Sequence, residues 1–156
     1  MEHILNKPKK GEEFIGKVID MAYGGKGIVK IKYGNLNYIV FISNTITGQE
    51  IKYKITKSKK SYAEGRLLEI IQRSKFEKKI PYQSISGGPY STLNISYQHQ
   101  IKKNQVFDLL SKIGGVNSIE SKFDSFIKSP LIWHYRNKMD YSFSSIRYDN
   151  KSKKIV

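Results

Sequence analysis

The chain has 156 residues, room for one ordinary domain or two small ones, and no cysteine, which excludes disulfides, thiolate metal sites, cysteine-ligated iron–sulfur clusters and a cysteine nucleophile. No apolar run approaches the ~20 residues that cross a bilayer, and the opening MEHILNKPKK has no hydrophobic leader core. A membrane partner is therefore not expected and a cytoplasmic location is. The formal net charge of +15, from 28 basic and 13 acidic residues spread evenly along the chain, favours a polyanionic partner, nucleic acid foremost, although a chain rich in Lys, Ile, Asn and Tyr is also what an AT-rich genome produces.

Residues 1–10 read as a loose basic lead-in. A first strand is expected over Glu13 to Ile19. In Ile28 to Tyr33 the residues Val29, Ile31 and Tyr33 fall on one face, and Ile28, Lys30 and Lys32 on the other. From Tyr38, the residues Tyr38, Val40 and Ile42 alternate with Ile39 and Phe41. Period two means strands, and apolar residues on both faces of the second strand predict burial on both sides. Gly24, Gly25, Gly27, Gly34 and Gly48 stand where turns need positive φ or close backbone approach. Gln49 to Lys57 alternates Ile51, Tyr53 and Ile55 with Lys52 and Lys54, and a last strand is expected over Tyr62 to Ile71. About five strands make an OB-like barrel the expected architecture for residues 11–73.

Lys52, Lys54, Lys57, Lys59 and Lys60 form a run with no acid among them. An isolated run of this kind is ordinarily a solvated face. Here Tyr33, Tyr38, Tyr53 and Tyr62 are interleaved with it, and cations beside aromatic rings hold RNA through phosphate contact and base stacking. Tyr53 shares a face with Ile51 and Ile55 and is expected in the core.

Gln72 to Pro81 is a polar connection and the expected boundary of a second unit, residues 77–156. Ile80 to Thr92 is an irregular loop in which Gly87-Gly88-Pro89 cannot continue a helix. A helix over residues 97–113 follows, with Ser96 as N-cap, a buried stripe of Val106, Leu109, Leu110 and Ile113, and Gly114-Gly115 as the stop. Ile132 to Ser144 reads as a strand with Trp133, Tyr135, Asn137, Met139, Tyr141 and Phe143 on one, largely apolar face, and Ile132, His134, Arg136, Lys138, Asp140, Ser142 and Ser144 on the other, largely polar one, the pattern of an antiparallel sheet on a core. Asp149-Asn150 reads as a turn and Lys153 to Val156 as a return strand. A hairpin ending there leaves an unpaired edge, so a truncated unit is expected. His3, His99 and His134 have no acid at a telling spacing, which leaves a hydrolase reading without a constellation.

Four patches in this order resemble the N-terminal part of the SAM-dependent RNA uracil-5 methyltransferases, which make 5-methyluridine in 23S rRNA and tRNA. Lys17 to Glu50, with Lys57-Ser-Lys-Lys-Ser-Tyr62-Ala63-Glu-Gly-Arg66-Leu67, resembles their TRAM domain. Ser96-Tyr97, Gln100 and Val106 resemble the start of the following helix, and Leu110 to Val116 its end. Ser129-Pro130 with Tyr135-Arg136-Asn137-Lys138-Met139 is similar to the family's YRNK strand. TRAM-like barrels also occur in methylthiotransferases, there typically at the C-terminal end, but the order barrel, helix, YRNK resembles that of the uracil enzymes. The resemblance covers residues 11–145 and implies an α+β chain: an OB-like barrel, then a partial helix-and-antiparallel-sheet domain.

Two departures limit what the resemblance implies. Many members hold an iron–sulfur cluster on Cys-Pro-x4-Cys-Gly-Gly-Cys. Ile80, Ser86 and Pro89 stand at those cysteine positions here, so no cluster is expected, and Tyr82 and Tyr90 are expected to hold the loop by packing. The family's reaction joins a cysteine thiolate, a carboxylate base and SAM. This chain has no cysteine, and Gly24-Gly25-Lys26-Gly27 lies among strands rather than after a parallel strand, so no catalytic residue and no SAM site are assigned. The implied role is recognition of structured RNA, rRNA or tRNA, with no preference for DNA. Its candidate contacts are Lys26, Lys30, Lys32, Lys57, Lys59, Lys60 and Arg66 in the barrel, with Arg136 and Lys138 beyond it. The competing reading is a stand-alone RNA-binding adaptor that is no longer an enzyme.

Overall fold

The computed structural model describes residues 3–4, 7–33, 36–79, 88–133, 138, 140, 145–146, 148–149 and 154–155. The chain forms two compact units, Met1–Phe126 and Ile127–Val156, and residues 72–79, the described part of the expected boundary, lie inside the first. The class is α+β: among the described residues there are a seven-stranded, mostly antiparallel sheet, a two-stranded sheet and one α-helix.

The strands of the first unit are β1 (His3–Ile4), β2 (Glu13–Lys17), β3 (Asp20–Met21), β4 (Gly27–Tyr33), β5 (Leu36–Ser43), β6 (Glu50–Ser58) and β7 (Tyr62–Gln72). They pair in the order β1-β4-β5-β7-β6-β2, with β3 also on β4. The pairs β1–β4 and β5–β7 are parallel and the others antiparallel. The sheet has seven strands rather than five for two reasons. His3–Ile4 adds to β4, and the strand expected over Glu13 to Ile19 ends at Lys17 and is followed, past Val18 and Ile19, by a further short strand, Asp20–Met21. Glu13–Lys17 pairs with β6, whereas Asp20–Met21 pairs with β4. The two junction residues still use their amides: Val18 N donates to Gln49 O at 2.8 Å, and Ile19 N donates to Ile28 O at 2.9 Å.

Alternation decides the core. Val29 and Ile31, Val40 and Ile42, and Ile51, Tyr53 and Ile55 all point inward, with Val18, Tyr38 and Ala63. Tyr53 is 1% exposed, at the place its alternation assigns. Ile39 and Phe41 are half-buried, so β5 is covered fully on one side only. The Tyr38 hydroxyl lies 2.6 Å from both Lys59 O and Tyr62 O, and its single proton is shared between them. That phenol ties the turn joining β6 to β7 onto β5. At Gly27 a side chain is excluded by space: a Cβ there would overlap Thr45 Oγ1 and approach Val18 Cγ1 to 2.8 Å.

The helix α1 (Ile95–Lys112) packs on the sheet through a different stripe from the one its sequence predicts. Ile101 is its buried residue, in a cluster with Met21, Ile46 and Leu93. Phe76 and Tyr97 stack beside it, 3.9 Å apart and nearly parallel. Val106, Leu109, Leu110 and Ile113 are exposed, Ile113 at 81%. At 3.6 residues per turn that stripe is centred roughly a third of a turn from Ile101. A polar residue, Gln105, instead holds the inward face: its Nε2 donates to Met21 O at 3.0 Å and Ala22 O at 3.1 Å. The N-cap is Asn94, whose Oδ1 accepts from Ser96 N at 3.1 Å, so Ser96 lies inside the helix and not at its cap. At the other end Gly115 takes φ +64° and Val116 N donates to Leu110 O, closing the last turn. A 3₁₀ turn, Ile119–Lys122, follows.

In the second unit β8 (Tyr148–Asp149) pairs antiparallel with β9 (Lys154–Ile155). Asp149 is therefore a strand residue, not a turn residue. Of the strand expected over 132–144, Ile132, Trp133, Lys138 and Asp140 do not lie in a strand, and the rest lies outside the described residues. So do Tyr82, Ile80 and Ser86.

Replacing Gly27 by Ala forces Thr45 or Val18, both buried, to move. Overpacking of this kind costs about 1–3 kcal/mol. Urea denaturation of Gly27→Ala is expected to show a lowered midpoint with an unchanged slope.

Candidate nucleic-acid interface

Residues opposite one another in adjacent strands share a face, so the registers define the outer surface of β4, β5 and β7. Ile28, Lys30 and Lys32 stand beside Phe41, Ile39 and Asn37. Ile39, Phe41 and Ser43 stand beside Tyr62, Glu64 and Arg66. On the far side of β7, Lys57 pairs with Glu64 and Lys54 with Arg66. The Phe41 and Tyr62 rings meet edge to face, centroids 5.7 Å apart at 70°. Both rings are half-buried, held from below and open above. Lys26 reaches the same surface from the preceding turn, its Nζ 3.5 Å from Glu64 Oε2.

The candidate cations fall into three groups. Lys26, Lys30, Lys32, Lys57 and Arg66 share the surface of the Phe41–Tyr62 pair. Lys59 and Lys60 lie exposed at the β6–β7 turn, which Lys59 N braces by donating to Tyr62 O at 2.8 Å. Lys138 is exposed in the second unit, 3.7 Å from Asp140. Arg136 lies outside the described residues. Of the interleaved tyrosines, Tyr38 and Tyr53 are core and Tyr62 is surface. The side chain of Tyr33 lies outside the described residues.

The lysine run is not electrostatically uniform. Glu13 comes from β2 and sits between Lys52 at 3.1 Å and Lys54 at 3.4 Å. Hydrogen bonding to Lys52, followed by its charge and by Lys54, holds the Glu13 carboxyl below the usual carboxylate range. The pairing therefore persists as pH falls toward that lowered value and is lost once Glu13 protonates. No acid stands within ion-pair distance of Lys57, Lys59 or Lys60 among the described residues.

Three features of this surface escape a reading of the sequence. Phe41 is half of the aromatic pair, and only the parallel β5–β7 register reveals its partner. Glu13 lies 39 residues before Lys52 and shows its role only through the β2–β6 register. Tyr23 is 79% exposed at the tip of a turn in which Ala22 N donates to Lys26 O at 2.8 Å and Gly25 N to Ala22 O at 2.9 Å. Gly25, at φ +86°, has no room for a Cβ because Pro89 packs on it. Its glycines mark this turn in the sequence, but not the bracing.

No family model matches the chain. Curated relatives do. A protein named as an uncharacterized RNA methyltransferase from Caldanaerobacter subterraneus subsp. tengcongensis is 34% identical over 146 residues, 92% of this chain and 31% of its own length. A similarly named protein of Bacillus cereus is 33% identical over 138 residues, 86% of this chain and 29% of its own. One from Staphylococcus epidermidis is 34% identical over 133 residues, 83% and 28% respectively. The chain thus spans about three-tenths of the length of the curated relatives it matches.

The donor sets bear on what this part of such a protein can hold. Gly24 to Gly27 joins two antiparallel strands, β3 and β4, and opens no helix, so it does not form the phosphate- or nucleotide-binding turn of a cofactor domain. No group of three metal-ligating side chains occurs among the described residues. His99 is half-buried with its ring centroid 4.9 Å from that of Phe126, a packing contact. His134 lies outside the described residues.

Glu13→Gln is expected to release Lys52 and Lys54 from their shared partner. Any affinity of the protein for a polyanion such as heparin should rise, with elution from a heparin column moving to higher salt. Unchanged elution would mean that the two lysines are already available.

Proposed function

We propose that this chain is the RNA-recognition portion of a SAM-dependent RNA uracil-5 methyltransferase acting on rRNA or tRNA, in the cytoplasm, with methyl transfer carried by a portion of such a protein outside this chain. The observation that carries the reading is the Phe41–Tyr62 pair set among Lys26, Lys30, Lys32, Lys57 and Arg66. The names of the relatives support it, as does the ordered resemblance of the four sequence patches.

In this reading residues 11–73 form a TRAM barrel of the OB-like kind. β2 and β3 are then two halves of one bent strand, which touches β6 with its first half and β4 with its second. Counted so, five strands follow the circular order first, second, third, fifth, fourth, with the third and fifth parallel. The YRNK segment and Lys138 belong to a partial second domain over 77–156.

The work of the surface is positional. Lysine and arginine heads contact phosphates and fix the register of the RNA. An unpaired base laid across Phe41 and Tyr62 stacks on a ring already held in place, so little ordering cost falls on the protein. Holding a folded loop in this way leaves its target uridine free to be extruded toward the catalytic portion. The residues here do not fit SAM or a cluster, so no step of methyl transfer is assigned to them. A DNA loop of the same sequence is bound no better than the RNA.

Filter binding of a structured RNA hairpin across a salt series tests the proposal. Each phosphate contact contributes about 0.7–0.9 to the slope of log affinity against log salt. Lys30→Ala with Lys32→Ala is expected to flatten that slope by about 1–2. Phe41→Ala or Tyr62→Ala is expected to weaken binding by about 1–3 kcal/mol at an unchanged slope. A wild-type slope near zero removes phosphate contact, and the proposal with it.

A further inference from the structure

The turn joining β3 to β4 presents a ring that the fold does not use. Tyr23 is 79% exposed, and neither its ring nor its hydroxyl has a partner among the described residues. Single exposed rings are ordinary on protein surfaces. What sets this one apart is the backbone beneath it, which is fixed on several sides. Ala22 N donates to Lys26 O at 2.8 Å and Gly25 N to Ala22 O at 2.9 Å, closing the turn on itself. Gln105 Nε2, from α1, donates to Met21 O at 3.0 Å and Ala22 O at 3.1 Å. Pro89 packs on Gly25 where a side chain would stand, and Tyr90 Cε2 lies 3.6 Å from the position of a Cβ there. Tyr90 is held in turn by Gln105, whose Oε1 accepts from its hydroxyl at 3.4 Å.

The same turn bridges the basic sheet surface and α1. The registers set Asp20, Ile28, Phe41 and Glu64 in one row across β3, β4, β5 and β7. Tyr23 comes three residues after Asp20, which places its backbone about 10 Å beyond that row at roughly 3.4 Å per residue. Lys26 comes two residues before Ile28 and reaches back to the row, its Nζ 3.5 Å from Glu64 Oε2. Both members of that pair are open to solvent, so the pair is weak and a phosphate can take the place of Glu64. On the other side of the turn, the exposed Lys102 of α1 stands over the Tyr90 ring, Nζ 5.9 Å from its centroid. Lys102 has no ion-pair partner among the described residues. A bare ring on an ordered turn therefore has a cation beside it on the sheet side and another on the helix side.

We propose that Tyr23 stacks a further unpaired base of the bound RNA, and that the strand runs from the Phe41–Tyr62 pair past Lys26 toward Lys102 on α1. This second platform extends the RNA-recognition reading on which it rests. A ring whose backbone is already ordered loses little freedom when a base covers it. Such stacking tolerates any sequence, because every base has a π-face. The amines of Lys26 and Lys102 neutralise phosphates on either side of that base. A separation of about 10 Å corresponds to roughly three nucleotides at the ~3.4 Å spacing of stacked bases. The ligand is therefore a single-stranded run longer than the aromatic pair alone can engage.

Filter binding of an oligouridylate of about nine nucleotides to the full chain is the test, the length lying within the usual reach of one such barrel. Tyr23→Ala and Tyr23→Leu are expected to bind about tenfold more weakly than wild type, and Tyr23→Phe within about twofold of it, all at an unchanged salt slope. Because the ring touches nothing, the urea midpoint of Tyr23→Ala is expected to match that of wild type. Lys102→Ala is expected to flatten the slope by about 0.7, the loss of one phosphate contact on a single strand. Tyr23→Trp puts a fluorophore on the turn, with the emission of Trp133 in the wild-type chain as the baseline. The added emission is expected to be quenched by the oligomer and shielded from acrylamide once it is bound. Wild-type affinity in Tyr23→Ala, or an unquenched added tryptophan at saturating oligomer, overturns the proposal. Wild-type affinity in Tyr23→Leu overturns it too, by making the contact merely apolar. An unchanged slope in Lys102→Ala overturns the path onto α1. If Phe41→Ala weakens binding and Tyr23→Ala does not, Tyr23 falls and the RNA reading stands. If Tyr23→Ala weakens binding and the Phe41 and Tyr62 variants do not, the aromatic pair falls and Tyr23 remains. Binding of the hairpin without the oligomer overturns the single-stranded path, and binding of neither removes both readings.

Discussion

The fold turns on how nine residues of backbone are shared. From Glu13 to Met21 the chain first pairs with β6 and then, past Val18 and Ile19, with β4. Backbone donors and acceptors must be matched wherever water is excluded, and this stretch meets that demand by serving the two ends of the sheet in turn. Val18 and Ile19 mark the handover, with one amide given to Gln49 and the next to Ile28. Two positions without side chains make the bend possible. At Gly16 a Cβ would come within 2.9 Å of Val29 Cγ1, and at Gly27 Thr45 already fills the space. The enclosed side chains from Val18 to Ala63 depend on that path.

Charge is organised on the same scaffold. Two of the lysines in the densest basic run are held by a carboxylate from the neighbouring strand, and the others stand beyond its reach. Glu64 plays a lesser part for Lys26 at 3.5 Å. Exposed pairs of this kind contribute little to stability. Their consequence is to decide which cations a passing polyanion meets. In the proposed reading, Lys30, Lys32, Lys57 and Arg66, which stand clear of Glu13, are the cations left beside Phe41 and Tyr62.

The sequence makes the strands legible because alternation in a half-buried sheet is a local property. Val29, Ile31, Val40, Ile42, Ile51, Tyr53 and Ile55 all lie inward as their spacing requires. The glycines flanking Lys26 likewise mark a turn and a close contact. What fails is inference from one element to its neighbour. The helical stripe from Val106 to Ile113 has faultless spacing and faces water, because Gln105 and Ile101 fix the rotation of α1 on β3. A spacing rule sees which residues share a face but not which face finds a partner. The N-cap fails for a similar reason. Asn94 and Ser96 are both competent, and the choice falls to Asn94, whose amide N–H also donates to Phe76 O. The aromatic pair and the Glu13 clasp depend on registers between distant strands, which carry no local signature.

The parallel pairing of β5 with β7 has a kinetic consequence. These strands are separated in the chain by β6, so their register cannot arise from a hairpin turn. Tyr62 finds Ile39 only after the intervening loop has closed. Sheets dominated by such distant pairings fold in milliseconds to seconds, far more slowly than helices form. The β6–β7 hairpin can zip locally, bringing Lys57 and Glu64 together early, but Phe41 meets Tyr62 only at the slow step. In the proposed reading, exposed lysines can therefore attract polyanions during synthesis or refolding before the stacking platform exists, and selective binding waits for the last strand to dock.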